Sequence, residues 1–170
     1  FAPGHRVRLA VSTTYWPMVW PSAHPVSLTL ASGASRLTLP VRPLSLDNEA
    51  EPVFDPVEMA PAARTSTIAP PDAARTIHRD LKSGKWRENL IEDHGCFHIH
   101  DIDLNVAQST HCDLEIVEND PLTAEARWVW RSELERADWH VEIETTTRLR
   151  ADASDFIIDT DIDAKEDGKP

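Results

Sequence analysis

Apolar and polar residues alternate with period two along most of the chain, the pattern of strands that bury one face. Arg6-Val7-Arg8-Leu9-Ala10-Val11 and Val26-Ser27-Leu28-Thr29-Leu30 follow it, as does Arg36-Leu37-Thr38-Leu39 after a Ser-Gly turn. Further on, Arg75 to Leu81 and Lys85 to Ile91 flank Lys82-Ser83-Gly84, a short glycine-containing connection that closes a hairpin. Period-two runs continue at His94 to Ile102, His111 to Val117, Ala124 to Arg131, Trp139 to Leu149 and Phe156 to Ala164. Ser132 to Asp138 is the one stretch with the makings of a helical turn, and it is too short to stand unaided. The expected class is all-β, an antiparallel sandwich in which a meander forms the later part.

Proline divides the chain. Seven of the 13 prolines lie between Pro40 and Pro71, which predicts a long irregular connector over about 43 to 74. Residues 72 to 120 and 122 to 169 contain none, so their backbone donors are free to pair. Residues 1 to 42 are thus expected to be one set of strands and 75 to 170 an acidic β-meander, within a single domain spanning 1 to 170.

Charge sharpens that division. The first 46 residues hold four arginines and no acid, so the net charge of −12 leaves −16 on the remaining 124. A field of that sign opposes phosphate backbones and anionic lipid, and no apolar run approaches the roughly 20 residues of a membrane span; neither nucleic acid nor a membrane is an expected partner. The 170 residues and 41% hydrophobic content suit one globular domain. The chain opens on Phe1 in a segment already patterned like structure, and is expected to be a piece of a longer polypeptide. Two cysteines leave the compartment open, with the cytoplasm the expectation.

Glycine spacing excludes several chemistries. The five glycines stand at 4, 33, 84, 95 and 168, never closer than 11 residues. Nucleophile elbows, dinucleotide fingerprints and P-loops each need two glycines within about five positions. No Ser is set on a strained turn before a helix, so no catalytic residue and no cofactor is expected in this chain.

The strongest positive signal is a row of metal-capable side chains. On a regular strand His94, Cys96, His98 and His100 share one face, and a hairpin turning near Leu104 would set Cys112 opposite Cys96 with His111 beside it. Imidazole and thiolate suit zinc, although same-face neighbours stand roughly 7 Å apart, far for convergence on one ion. A solvated His face opposite Phe97 and Ile99 is the competing reading, and a Cys96–Cys112 disulfide a third. Asp159, Asp161 and Asp163 have calcium-loop spacing, but Ala164 and Pro170 stand where Gly and Glu are needed. These carboxylates are expected on the solvated face of a strand whose other face carries Phe156, Ile158, Ile162 and Ala164.

Tyr15-Trp16-Pro17-Met18-Val19-Trp20-Pro21 forms a stiff aromatic loop, suited to packing or an interface through Tyr15, Trp16, Met18 and Trp20. A sugar-stacking platform on Trp16 or Trp20 is an alternative. Trp128 and Trp130 share a strand face as packing residues, and Trp139 opens the next strand.

Two of these motifs together resemble a known family. Gly4-His5-Arg6-Val7-Arg8-Leu9, running into Tyr15-Trp16-Pro17, resembles a strand and aromatic-proline loop late in the C-terminal domain of X-Pro dipeptidyl-peptidase and cocaine-esterase-like (CocE/NonD) serine hydrolases. Asp120-Pro121-Leu122-Thr123-Ala124 resembles a signature in the C-terminal extension of one branch, and Arg79-Asp80-Leu81 with Gly84, and Trp139, fit that branch. The resemblance implies a partial galactose-binding-like jelly roll with a meander extension. It implies a noncatalytic domain whose partner is the catalytic α/β-hydrolase domain of the parent chain, where the family's Ser, Asp and His lie. A jelly roll missing strands exposes edges, so the chain is expected either to form a homodimer through a sheet edge or the aromatic loop, or to rearrange its early strands over the meander. The alternative function is a free-standing zinc-binding β protein, or a carbohydrate-binding module.

Overall fold

A computed structural model describes residues 4–40 and 53–170. Seven strands form one antiparallel sheet: β1 (Thr65–Ala69), β2 (Asp72–Asp80), β3 (Lys85–Ile99), β4 (Leu104–Val117), β5 (Asp120–Arg136), β6 (Trp139–Ala151) and β7 (Phe156–Glu166). The path is β1-β3-β4-β5-β6-β7, with β2 pairing the same edge of β3 as β1, so the two short strands together make one broken edge. The all-β, antiparallel reading holds, and an open sheet of this kind is compatible with a sandwich or jelly-roll layer.

Turn chemistry explains the meander. Gly84 takes a left-handed φ of 69° between β2 and β3, while the Asp80 carboxylate accepts from the Lys82 amide at 2.9 Å and the Ser83 hydroxyl at 2.8 Å. Those bonds, the Ser83 one first, hold the Asp80 carboxyl below its ordinary value. Asn119, at φ 63°, makes the tight turn into β5. There the Asp-Pro-Leu-Thr-Ala motif acts as a clamp: Thr123 Oγ1 accepts from the Val117 amide at 2.8 Å and donates to the Asp120 carbonyl at 2.6 Å. Pro121 has no amide to offer a ladder, and the β4–β5 register shifts nearby, between Glu115 and Val117.

Several expectations need correction. The segments 6–11, 26–30 and 36–39 carry no ladder; alternation suits a strand, but no described residue pairs with them. Of the proposed connector, 43–52 lie outside the described residues, 53–64 are irregular, and 65–69 and 72–74 are strand. Pro70-Pro71 interrupt the edge between β1 and β2 without preventing pairing on either side. The strands expected at Lys85–Ile91 and His94–Ile102 are a single strand ending at Ile99, bulged between Asp93 and Cys96. Ser132–Asp138 is no helical turn: β5 runs on to Arg136, and Ala137, at φ 50°, turns the chain.

The chain divides into two units, Phe1–Val26 with Ala63–Pro170, and Ser27–Ala62. In the second, a turn closes on the Ala31 carbonyl, which accepts from the Ala34 and Ser35 amides, both at 3.1 Å. In the first, the two faces of the sheet differ. One carries Leu90, Cys112, Leu114, Ala126, Trp128 and Leu149 in register across four strands, and Trp16 and Trp20 pack on it; Ala126 is 1% exposed. The opposite face is laced with ion pairs, including Glu115 with Lys85 and Arg87, Glu125 with Arg148 at 2.5 Å, and Glu144 with Arg131 at 2.7 Å.

Glu115 yields a pH prediction. Burial alone would raise its carboxyl, but hydrogen bonds and charge from Lys85 and Arg87 together outweigh that and hold it below its ordinary value. A carboxyl depressed on folding contributes stability above its unfolded pKa and loses it as pH falls through the folded one. Stability is therefore expected to drop on acidification below the ordinary glutamate range, and urea titrations of Glu115→Gln are expected to lack that share of the drop.

Candidate functional site

Hydrogen bonding holds the aromatic loop in a tight shape. The Val19 amide donates to the Tyr15 carbonyl at 2.9 Å, and the Trp16–Pro17 peptide is cis. This splits the four candidate residues in two. Trp16 and Trp20 turn inward onto the Cys112–Leu114–Ala126 cluster, and Trp20 meets Phe156 edge-on with ring centres 6.3 Å apart. Tyr15 and Met18 face outward, Met18 being 78% exposed.

Between this loop and one end of the sheet lies a cleft of about 870 Å³, walled by Tyr15, Trp16, Pro21, Ile77, Trp86 and Pro121. The β2–β3 and β4–β5 turns meet there: the Glu118 amide donates to the Gly84 carbonyl at 2.9 Å, and Arg79 bridges them, donating to Glu118 at 2.6 Å while lying 5.0 Å over the Trp86 ring. Glu88, also in the wall, is buried and accepts from Arg75 at 2.5 Å. Trp16 Nε1 is buried without an acceptor in the protein. Apolar walls with a few charged groups at the rim can bind or be covered. Ser22 and His24 both line the cleft, and the bond between them runs from the His24 backbone amide to Ser22 Oγ at 3.3 Å, not from the imidazole.

The metal row does not assemble. The bulge at Gly95, where the amide donates to Asp93 Oδ1 at 2.8 Å, reverses the alternation of β3. Cys96 pairs with Ala107 and His98 with Asn105 on the ion-pair face, whereas Cys112 pairs with Leu90 on the apolar face. Cys96 and Cys112 thus stand on opposite sides of the sheet, and both are free thiols. His94 lies in the bulge and His100 in the following turn. His111 is occupied by Asn89 at 2.6 Å and Asp113 at 3.5 Å, and His98 by Asn105 at 2.8 Å. Only His98 and His100 come together, ring centres 4.8 Å apart.

Among the described residues, the single grouping of three potential ligands is Glu133, His140 and Glu142, with ligand atoms within 4.8 Å of one another. Sequence reasoning missed it because it treated 132–138 as a helical turn. A hairpin centred on Ala137-Asp138 would have set Glu133 opposite Glu142.

Burial separates the two thiols chemically. Desolvation, then the charges of Asp113 and Glu88, push Cys112 up to about 11. Since the thiolate is the reactive form, iodoacetamide is expected to modify Cys96 well before Cys112 in the native protein. Mass spectrometry of digests resolves the two sites, and unfolding in urea is expected to erase the difference.

These features define an all-β sheet with one apolar face, an aromatic loop seated on it and a cleft beside the loop. Residues 1–79, just under half of the 170-residue chain, match the family model of the X-Pro dipeptidyl-peptidase C-terminal non-catalytic domain. The match bears out the dipeptidyl-peptidase side of the resemblance and, by the family's description, a non-catalytic role. It does not extend to the cocaine-esterase-like branch. No curated protein matches the chain, and no solved structure does.

Proposed function

We propose that the chain is an accessory module that packs on a catalytic α/β-hydrolase domain of the same polypeptide, a serine hydrolase acting on X-Pro peptides or acyl esters, and helps wall its substrate cleft. The observation that carries this reading is the apolar face, which continues beyond what the aromatic loop covers. Ile77, Trp130 and Phe156 stay exposed on that face, with Tyr15 and Met18 exposed on the loop. Apolar side chains left open to water side by side favour a protein partner, and the match to a non-catalytic domain model supports a catalytic domain as that partner.

The test begins with the reading frame upstream of Phe1. It is expected to encode a hydrolase domain with a Gly-x-Ser-x-Gly elbow, and the complete product to release p-nitroaniline from an X-Pro anilide. Met18→Glu in that product is expected to lower kcat/KM while the circular dichroism spectrum stays unchanged. An upstream frame without such an elbow, or full activity in Met18→Glu, overturns the proposal.

A further inference from the structure

The outer edge of β7 is unpartnered among the described residues except at Glu166, which Lys169 turns back to bridge. Its two faces are sharply different. Ile158 and Ile162, 66% and 70% exposed, register with Leu149 and Thr145 on the apolar side, while Asp159, Asp161 and Asp163 register with Arg148, Thr146 and Glu144 on the ion-pair side. Asp159 is held by Arg150 at 2.7 Å and Asp163 by Lys165 at 2.6 Å, but Asp161 has no basic partner among the described residues. The open edge over residues 156–165 accepts another strand by main-chain hydrogen bonding.

The edge selects its occupant by charge. Two β7 strands paired about Asp161 would set Asp159 against Asp163 and Asp161 against its own copy, so this strand resists self-pairing. Arg6-Val7-Arg8-Leu9-Ala10-Val11 is its complement: arginine on alternate positions, apolar residues between them, no ladder of its own, and Val7, Leu9 and Val11 exposed. Neither arginine makes an ion pair with a described residue.

We infer that Arg6–Val11 of a second copy of this chain adds to the β7 edge as an antiparallel strand, with Arg8 opposite Asp161 and Arg6 opposite Asp163. In that register Val7 meets Ile162 and Val11 meets Ile158 on the apolar side, and Asp159, already paired to Arg150, faces Ala10. Exchange in both directions closes two edges with one two-fold axis. The net charge of −12 does not prevent it, because screening over about 8 Å at physiological salt leaves the local charge pairs dominant. The inference does not rest on the hydrolase partner, since its main-chain bonds and charge pairs run along the sheet edge and only the Val7 and Val11 contacts fall on the apolar side.

Sedimentation across a concentration series tests it. The chain is expected to form a dimer, and Arg6→Glu with Arg8→Glu, or Asp161→Lys with Asp163→Lys, to weaken it at least about tenfold by turning opposite-charge cross-strand pairs into like-charge ones. Mixing the two doubly reversed proteins is expected to restore the dimer, because in the mixed pair both contacts again join opposite charges. That restoration also shows that neither variant has misfolded. A monomer at every concentration overturns the inference. So does a dimer indifferent to both reversals, or loss of the dimer in each variant without recovery on mixing.

Discussion

Gly95→Ala is expected to destabilise the protein by about 2 to 4 kcal/mol, combining the left-handed backbone cost of a non-glycine residue with a steric clash. Gly95 sits at φ 73°, and a Cβ built there would lie 2.3 Å from the Ala69 carbonyl oxygen and 2.8 Å from the Pro70 carbonyl carbon. Both obstacles are backbone, so no side chain can swing aside. To make room, β1 must leave the edge of β3 or the bulge must open, and each loses ladder hydrogen bonds. Urea denaturation measures the loss, and hydrogen exchange is expected to place it first in Thr65–Ala69. Gly33→Ala is the control: its φ is not left-handed and nothing lies within 4 Å of a Cβ there, so stability is expected to stay nearly unchanged. Equal losses in the two variants would show that the bulge does not depend on glycine.

The same bulge marks where the sequence was legible and where it was not. Period-two alternation located β4 through β7 and the β2–β3 hairpin because those strands bury one face and their turns carry Gly84, Asn119 and Asp152. It also placed Ile158 and Ile162 opposite Asp159, Asp161 and Asp163. One inserted residue defeated the same logic at His94–His100. Parity counts side chains correctly only while every residue advances the pleat by one, and the turn at Gly95 breaks that count. The cross-strand disulfide failed on that single parity change, while the metal row failed because the bulge removes His94 from the row and His98 and His111 are held by Asn105 and Asn89. Residues 6–11 failed differently: their alternation states what a strand there would bury but not which strand it would pair with. The aromatic loop was legible as bulky and stiff, yet which rings turn inward depends on Cys112, Leu114 and Ala126, roughly a hundred residues away in the chain.

Trp20→Ala is expected to cost about 2 to 4 kcal/mol, somewhat below the range for a fully buried tryptophan because Trp20 is only half-buried. Its effect is large for what the sheet holds in reserve. The buried cluster beneath it is only Cys112, Leu114 and Ala126, and Ala126 is kept dry by its neighbours because its own side chain is too small to fill the space above it. Removing the indole opens that cluster to water and takes away the edge-on contact with Phe156, an arrangement worth about 0.5 to 1.5 kcal/mol beyond area burial. A double-mutant cycle with Phe156→Ala is expected to return a coupling of that size, and near-ultraviolet circular dichroism to lose intensity while the far-ultraviolet strand signal persists. Trp16→Phe is the instructive contrast. It keeps an aromatic ring on the cluster and deletes the Trp16 Nε1–H, a buried donor with no protein acceptor, so part of the lost packing is returned as relief from an unsatisfied polar group. If Trp16→Phe instead destabilised as much as Trp20→Ala, that N–H would have to be bonded in solution, and the wall of the cleft would then be polar at the point where it is now drawn as apolar.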